Sequence, residues 1–241
     1  MTNKLAAVAD VHSPIFFSLF KEALSAVKEA SLFLLAGDVV YRGDFEECKR
    51  VVATIKETLR CPIVGVFGNE EYEEIKPRLK QIEEITWLDD EYKIFEVDDI
   101  RVKIVGSRGS LLKPTSWQLR NLPDIRKLYV MRLNKLRELL AKSDDVDYTV
   151  LLLHYSPTFS TLVGEKPSIY PFMGDPRLER ILRETKPKMC IHGHAHRSKV
   201  KNAVIGETTV YNVSLPAAGR ITEINVEEIA VTKQRRLYNF K

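Results

Sequence analysis

Five short apolar runs punctuate this chain, and each stops abruptly at residues able to hold a metal ion or a proton. Leu5–Ala9 runs into Asp10-Val11-His12, Leu32–Ala36 into Gly37-Asp38, and Pro62–Phe67 into Gly68-Asn69. Tyr148–Leu153 ends at His154, and Lys188–Ile191 ends at His192-Gly193-His194-Ala195-His196. A run that is apolar throughout, and not at alternate positions, suits a strand buried on both faces, the state of a parallel sheet covered by helices. Helical periodicity fills the gaps between the first three runs. Ile15–Ala30 places Phe16, Phe20, Leu24 and Val27 on one side after a Ser-Pro start, and Asp44 caps a helix running to about Leu59. Strand, helix, strand, helix, strand at this spacing means parallel βαβ units. In such sheets the carboxyl ends of the strands converge on one crevice, where ligands bind.

The rest of the chain continues the α/β pattern. A helix is expected over about 71–83, followed by strands Tyr92–Val97 and Val102–Val105 joined through a turn at Asp98-Asp99. Residues 116–142 read as one helix with Ile125, Leu128, Leu133, Leu136 and Leu140 on its apolar face. Its other face carries Arg126, Lys127, Arg132, Lys135 and Arg137, which reads as a solvated face more than a nucleic-acid contact. The loop Tyr155–Gly174, with Phe159, Tyr170 and Phe172, is a candidate substrate wall or simply a packed loop. A helix follows from Asp175, and the tail after Lys199 alternates like antiparallel strands. With no repeat, linker or low-complexity stretch, residues 1–241 are expected to form a single domain.

Composition excludes several classes. An apolar content of 44% beside 29% charged residues is that of a globular protein able to bury its own core. Cys48, Cys61 and Cys190 are odd in number and widely spaced, which argues against disulfides or a thiolate metal site and suits a reducing cytoplasm. The apolar stretch at the N-terminus is too short for a signal peptide and leads straight into Asp10 and His12. No apolar run is long enough to cross a bilayer. A net charge of +4 is too small to imply nucleic acid on its own.

Singly, a Gly-Asp or Gly-Asn is usually just a turn, and Asp-x-His is common on strand edges. Here, however, four of the five histidines fall at strand ends, alongside Asp10, Asp38 and Asn69. The assembled series Asp10-Val11-His12, Gly37-Asp38, Gly68-Asn69-Glu70-Glu71, His154 and Gly193-His194-Ala195-His196 resembles the calcineurin-like metallophosphoesterase family. That family's pattern is Asp-x-His, Gly-Asp, Gly-Asn-His-(Glu/Asp), a later His, and Gly-His-x-His. The resemblance implies the metallo-dependent phosphatase fold, a four-layer α/β/β/α sandwich. It implies one metal held by Asp10, His12, Asp38 and His196, and a second held by Asp38, Asn69, His154 and His194, with Asp38 bridging.

The ligand chemistry agrees with that implication. Imidazole, carboxylate and amide ligands together suit Mn, Fe, Zn or Ni, with manganese placed first. Two dications against two aspartates leave a site charge of about +2, which attracts a phosphate anion. A water shared by such ions is acidified toward neutral pH, and both ions clamp an in-line displacement. The function expected is hydrolysis of a small-molecule or nucleotide phosphoester.

Two departures qualify the expectation. The position of the family's proton-donating histidine is Glu70, and Gly37-Asp-Val-Val-Tyr-Arg-Gly43 has Tyr41 where Ser/Thr phosphatases carry the aspartate that orients it. Arg42, the phosphate-contacting arginine of that motif, is retained. Arg42 either grips phosphate or pairs with Asp44 or Glu46. Glu70 is either a solvent-facing acid at a helix start or a group at the metal edge, accepting a hydrogen bond from Tyr41. A glutamate beside two cations stays ionised and is a poor general acid. Diesters, or esters with acidic leaving groups, are therefore the expected substrates. The alternatives are a nuclease or protein phosphatase of the same family, which needs a long electropositive groove, and a scaffold subunit that has lost catalysis. His192 reads as a core or supporting histidine rather than a ligand. Tyr155 and Arg197 flank motif residues and are candidates for touching substrate.

Overall fold

The apolar runs do become strands, and their alternate side chains feed two different cores. The computed structural model describes residues 4–97 and 99–226. In order, the elements are β1 (Lys4–Val8), α1 (Phe17–Ser25), β2 (Leu32–Ala36), α2 (Phe45–Thr58), β3 (Ile63–Val66), α3 (Lys76–Leu79) and β4 (Ile85–Leu88). There follow β5 (Glu91–Val97), β6 (Ile100–Ser107), α4 (Ser116–Asn121), α5 (Ile125–Ala141), β7 (Tyr148–Leu153) and a 3₁₀ turn over Pro167–Phe172. The last are α6 (Leu178–Thr185), β8 (Met189–His192), β9 (Asn202–Ile205), β10 (Thr208–Asn212), α7 (Leu215–Ala218) and β11 (Thr222–Asn225).

The strands form a five-stranded sheet, β11-β1-β2-β3-β4, and a six-stranded sheet, β5-β6-β7-β8-β10-β9. In the first, β1 through β4 are mutually parallel, as the βαβ reading requires, and β11 closes the edge antiparallel to β1. In the second, β6, β7, β8 and β10 are parallel, with β5 and β9 antiparallel at the edges.

Three apolar clusters define four layers. Leu5, Ala7, Leu34 and Val64 of the first sheet meet Val102, Ile104, Val150 and Leu152 of the second in a core between the sheets. The opposite face of the first sheet, including Ala6, Phe33 and Ile63, packs on Phe20 and Leu24 of α1 and Val51 and Ile55 of α2. The outer face of the second, including Val105, Leu151 and Cys190, packs on Leu136 of α5 and Ile181 of α6. The architecture is therefore the expected α/β/β/α sandwich.

Local chemistry explains the element boundaries. Asp44 caps α2, its carboxylate accepting from the N–H groups of Glu46 and Glu47 at 3.0 and 3.2 Å. The expected helix over 71–83 shrinks to α3, because Pro77 lacks an amide donor and disfavours helix before it. The residues after it supply β4, a strand too short for its period to register. The expected helix over 116–142 breaks at Pro123 into α4 and α5. Two of its residues also exchange roles: Leu128 is exposed, while Arg132 is buried against Asp90 at 2.9 Å. The tail is antiparallel at β9–β10 and at β11, but β10 joins β8 in parallel. The end of the chain beyond residue 226, included in the single-domain expectation, lies outside the described residues.

Candidate metal centre

The carboxyl ends of β1, β2 and β3 from one sheet face those of β7 and β8 from the other, and the loops that leave them are knitted together. The Asp10 N–H donates to Gly37 O and the His12 N–H to Asp38 O, both at 3.0 Å. Across the sheets, the Gly193 N–H donates to His154 O at 3.1 Å, and the His194 N–H donates to the Asp10 carboxylate at 2.9 Å. His154 Nδ1 lies 3.0 Å from Ala36 O, so it carries the proton and donates, leaving Nε2 to face inward.

The side chains converge in two groups, Asp10–His12–His196 and Asp38–His154–His194, with the ligand atoms of each within 4.8 Å of one another. In the first, His196 Nε2 lies 3.2 Å from Asp10 Oδ1 and 3.4 Å from His12 Nε2. In the second, His154 Nε2 lies 3.4 Å from Asp38 Oδ2 and 3.1 Å from Asn69 Oδ1. Asp38 stands between the groups, because the same Oδ2 is also 3.7 Å from His12 Nε2. All seven residues singled out in the sequence are thus brought to one place.

The backbone is strained where it delivers them. Asp10, His12, Asp38 and His194 all have positive φ, at 59, 41, 51 and 67°. Left-handed backbone at a non-glycine residue costs on the order of 1 kcal/mol or more, and it clusters at functional sites because the surrounding structure enforces it. The glycines of the motifs are required by close approach. A Cβ on Gly68 would lie 2.1 Å from Asp38 Oδ1, and one on Gly193 would lie 2.3 Å from Ala9 Cβ and 2.9 Å from Asp10 Oδ2.

Electrostatics fit a cation. Burial alone would raise the Asp10 carboxyl, but the hydrogen bond and charge of His196 hold it well below the usual range. Burial likewise opposes charge on His154, yet the Asp38 carboxylate overcomes it and lifts the imidazole to about 9. His12 Nδ1 is buried without a hydrogen-bond partner among the described residues. Two buried carboxylates thus raise the pKa of two imidazoles, His154 and His196, the electrostatic part that divalent cations take at such a site. His194 is driven the other way, to about 3, first by burial and then by the charge of His154, and so presents a neutral ring suited to ligation. The residues fit a pair of divalent metal ions.

A family model described as calcineurin-like phosphoesterase matches residues 4–198. The chain belongs to that family. No curated protein matches it in sequence. The chain is similar in fold to a phosphopantetheinyl hydrolase from Mycobacterium tuberculosis, with 14% identity over 90% of both chains and a TM-score of 0.66. It is also similar to GAP50, an anchor in the inner membrane complex of Plasmodium, at 14% identity over 90% of this chain and 71% of that one, TM-score 0.53. A third similar structure is a putative 5'-nucleotidase from Staphylococcus aureus, at 15% identity over 87% of this chain and 48% of the other, TM-score 0.50. At these identities the likeness is one of fold. No helix among the described residues is long and apolar enough to cross a membrane.

The remaining candidates separate into those at the centre and those that support it. Glu70 turns back into the site: its N–H donates to Asp38 Oδ1 and its carboxylate accepts from the Arg42 N–H, each at 2.8 Å. The expected Tyr41 hydrogen bond is therefore replaced by one from the Arg42 backbone. The Arg42 guanidinium is exposed and lies 4.9 Å from the centre of the Tyr41 ring. His192 is a core histidine, bonded to Thr161 Oγ1 and Gly193 O at 2.8 Å. Arg197 is exposed, with its N–H on Glu165. Of the aromatic loop, Phe159 and Tyr170 pack around Leu162 and Met173, while Phe172 faces a cleft shared with His194.

Glu71 has a structural role that the motif alone did not reveal. It is wholly buried and accepts from the N–H groups of Asp38, Val40 and Gly68 at 2.9, 3.1 and 2.6 Å. Burial, then the charge of Asp38, pushes its pKa up to about 7. The available signal was the acidic residue closing the Gly-Asn-Glu-Glu motif. Arg108, bonded to Glu73 Oε1 at 3.0 Å and Glu71 O at 2.9 Å, had no sequence signal.

Proposed function

We propose that this protein hydrolyses small-molecule phosphoesters with two divalent metal ions, one held by Asp10, His12, Asp38 and His196 and the other by Asp38, Asn69, His154 and His194. The observation that carries the reading is the position of Asp38 Oδ2, 3.4 Å from His154 Nε2 and 3.7 Å from His12 Nε2, where one carboxylate serves both groups. Divalent ions bound there supply Lewis acidity toward the phosphoryl oxygens and an acidified water as nucleophile.

The chain's own residues set which ester reacts. Ala36 O fixes the His154 tautomer and aims Nε2 inward. Asn69, a neutral ligand, leaves the centre with excess positive charge for a phosphate anion. Arg42 follows Asp38 on the same loop, and in this reading its exposed guanidinium holds a phosphoryl oxygen as substrate enters. Glu70 has its carboxylate engaged with the Arg42 backbone, so no imidazole stands ready to protonate a departing alkoxide. Esters whose leaving group departs without a proton, and monoanionic diesters, are therefore preferred over alkyl monophosphates.

Several observations support this against the alternatives. Two structures of similar fold are named as a phosphopantetheinyl hydrolase and a putative 5'-nucleotidase. A nuclease would use a basic groove, whereas Glu73 and Glu74 line the cleft beside His194. The scaffold alternative draws on Glu70 and Tyr41, which replace the acid dyad, and the complete ligand set weighs against it. The free, buried Cys48, Cys61 and Cys190 suit a cytoplasmic setting, and manganese is the first metal to try. The test is a panel of aryl and alkyl mono- and diesters with added Mn²⁺, Zn²⁺ or Ni²⁺. Faster turnover of aryl diesters is expected. Preferential turnover of alkyl monophosphates would refute the preference, and tight metal binding with no turnover of any ester would favour the scaffold.

A further inference from the structure

A cleft of about 580 Å³ opens directly from the proposed metal centre, with Asn69 and His194 at its inner end. That size lies within the range of small-molecule sites. Its walls are aromatic and apolar: Leu111, Trp117, Leu122, Tyr155 and Phe172. Trp117 is 60% exposed, although a residue of this size is ordinarily well covered. The backbone that carries it is fixed, because α4 begins with a reciprocal cap. The Thr115 N–H donates to Gln118 Oε1 at 2.9 Å, and the Gln118 N–H donates to Thr115 Oγ1 at 3.2 Å. Across the cleft, Tyr155 is buried and its ring stands edge-on to His194, with centroids 5.0 Å apart. The aromatic wall therefore begins at a proposed metal ligand and extends outward to an indole.

The charges of the cleft show what it does not bind. Arg108, the one arginine or lysine among the described wall residues, is already paired with Glu73 Oε1 at 3.0 Å, and Glu74 adds a second carboxylate. A second phosphate would meet a neutralised arginine and an extra negative charge. A planar ring would instead stack on π faces, at little cost in ordering, because the rings that receive it are stiff.

We propose that Trp117, Tyr155 and Phe172 form a ring-binding subsite that selects phosphoesters whose organic group is aromatic, whether aryl or nucleobase. The inference rests on the metal-centre reading, since that centre anchors the phosphoryl end. Trp117 is the residue that distinguishes a ring from an alkyl chain of similar apolar area.

The test is calorimetric binding of methylphosphonate, hexylphosphonate and phenylphosphonate to the Mn²⁺-loaded protein, for wild type, Trp117→Ala and Trp117→Phe. Phenylphosphonate is expected to bind roughly tenfold tighter than either alkyl compound, a margin typical of one added aromatic contact. Trp117→Ala is expected to reduce that margin to about twofold without changing methylphosphonate affinity, while Trp117→Phe keeps most of it. Fluorescence gives a second readout. The only other tryptophan, Trp87, is buried in the core of the first sheet, so quenching by phenylphosphonate must arise from Trp117. Equal binding of all three compounds to wild type, tighter binding of hexylphosphonate, or an unchanged margin in Trp117→Ala would overturn the inference and leave the metal-centre reading standing. Failure of all three to bind would overturn both.

Discussion

The buried carboxylate of Glu71 accepts the backbone N–H of Asp38 at 2.9 Å. The same group accepts the N–H groups of Val40 and Gly68, so a single side chain locks the loop after β2 to the loop after β3. Asp38 and Asn69 leave those loops. The carboxylate that spans the proposed metal pair is therefore positioned by a residue that need not touch metal or substrate.

Replacing Glu71 by Ala strands three backbone donors in the interior, at about 1–3 kcal/mol each before relaxation. A loss of about 3–5 kcal/mol in unfolding free energy is expected for the metal-free protein, measured by urea titration. Manganese affinity should fall as well, because Asp38 loses its anchor. A Glu71→Ala variant of wild-type stability would show that the lock is not needed.

The Asp90–Arg132 pair makes a separate prediction about stability. Arg132 Nε lies 2.9 Å from both Asp90 oxygens, and its Nη1 donates to Gly109 O at 3.0 Å. Removing Asp90 leaves a buried guanidinium without its countercharge, so Asp90→Ala is expected to cost about 3 kcal/mol. The double variant with Arg132→Met should recover much of that loss. Chemical denaturation of the three variants supplies the cycle.

His192 makes the metal-free protein acid-sensitive. Burial, the main cause, lowers its folded pKa to about 4 from the ordinary histidine value of 6.5. Between these values the unfolded chain binds a proton that the folded one does not, so stability is full above pH 6.5 and falls as the pH drops toward 4. The shift corresponds to a loss on the order of 3 kcal/mol across that window. Raised imidazoles such as His154 act in the opposite sense. The difference between wild type and His192→Gln, followed in chelator-treated protein from pH 7.5 to 4, isolates the effect. A constant difference would contradict it.

Restoring the missing dyad should widen the substrate range. Glu70→His combined with Tyr41→Asp places an imidazole and its orienting carboxylate where the related phosphatases carry them. Turnover of alkyl monophosphates by the double variant is expected to rise by about 10²-fold, the lower end for general acid catalysis. Aryl diesters should change little. Equal gains on both classes, read from steady-state rates, would count against the leaving-group explanation.

Much of the site could be read in advance because parallel strands advertise themselves twice, through an unbroken apolar run and through the polar residue that stops it. Asp10, Asp38, Asn69, His154 and His194 were all visible in that way. Features lacking a period were not. β4 is four residues long and follows a segment whose spacing imitates a helix. Arg132 lies on the charged face of α5 by residue type, yet Asp90 draws it inward. Glu71 is charged and adjacent to Glu70, and nothing in its type says which of the two is buried. The aromatic cleft joins residues from six separate stretches, near Asn69, Arg108, Trp117, Tyr155, Phe172 and His194, and only folding places them side by side.

The most direct test of the central claim is metal stoichiometry by equilibrium dialysis against Mn²⁺, comparing wild type with Asp38→Asn. Wild type is expected to bind two ions per chain, and the variant to lose high-affinity binding of both, because one carboxylate serves the two groups. Two ions retained in Asp38→Asn, or fewer than two in wild type, would contradict it.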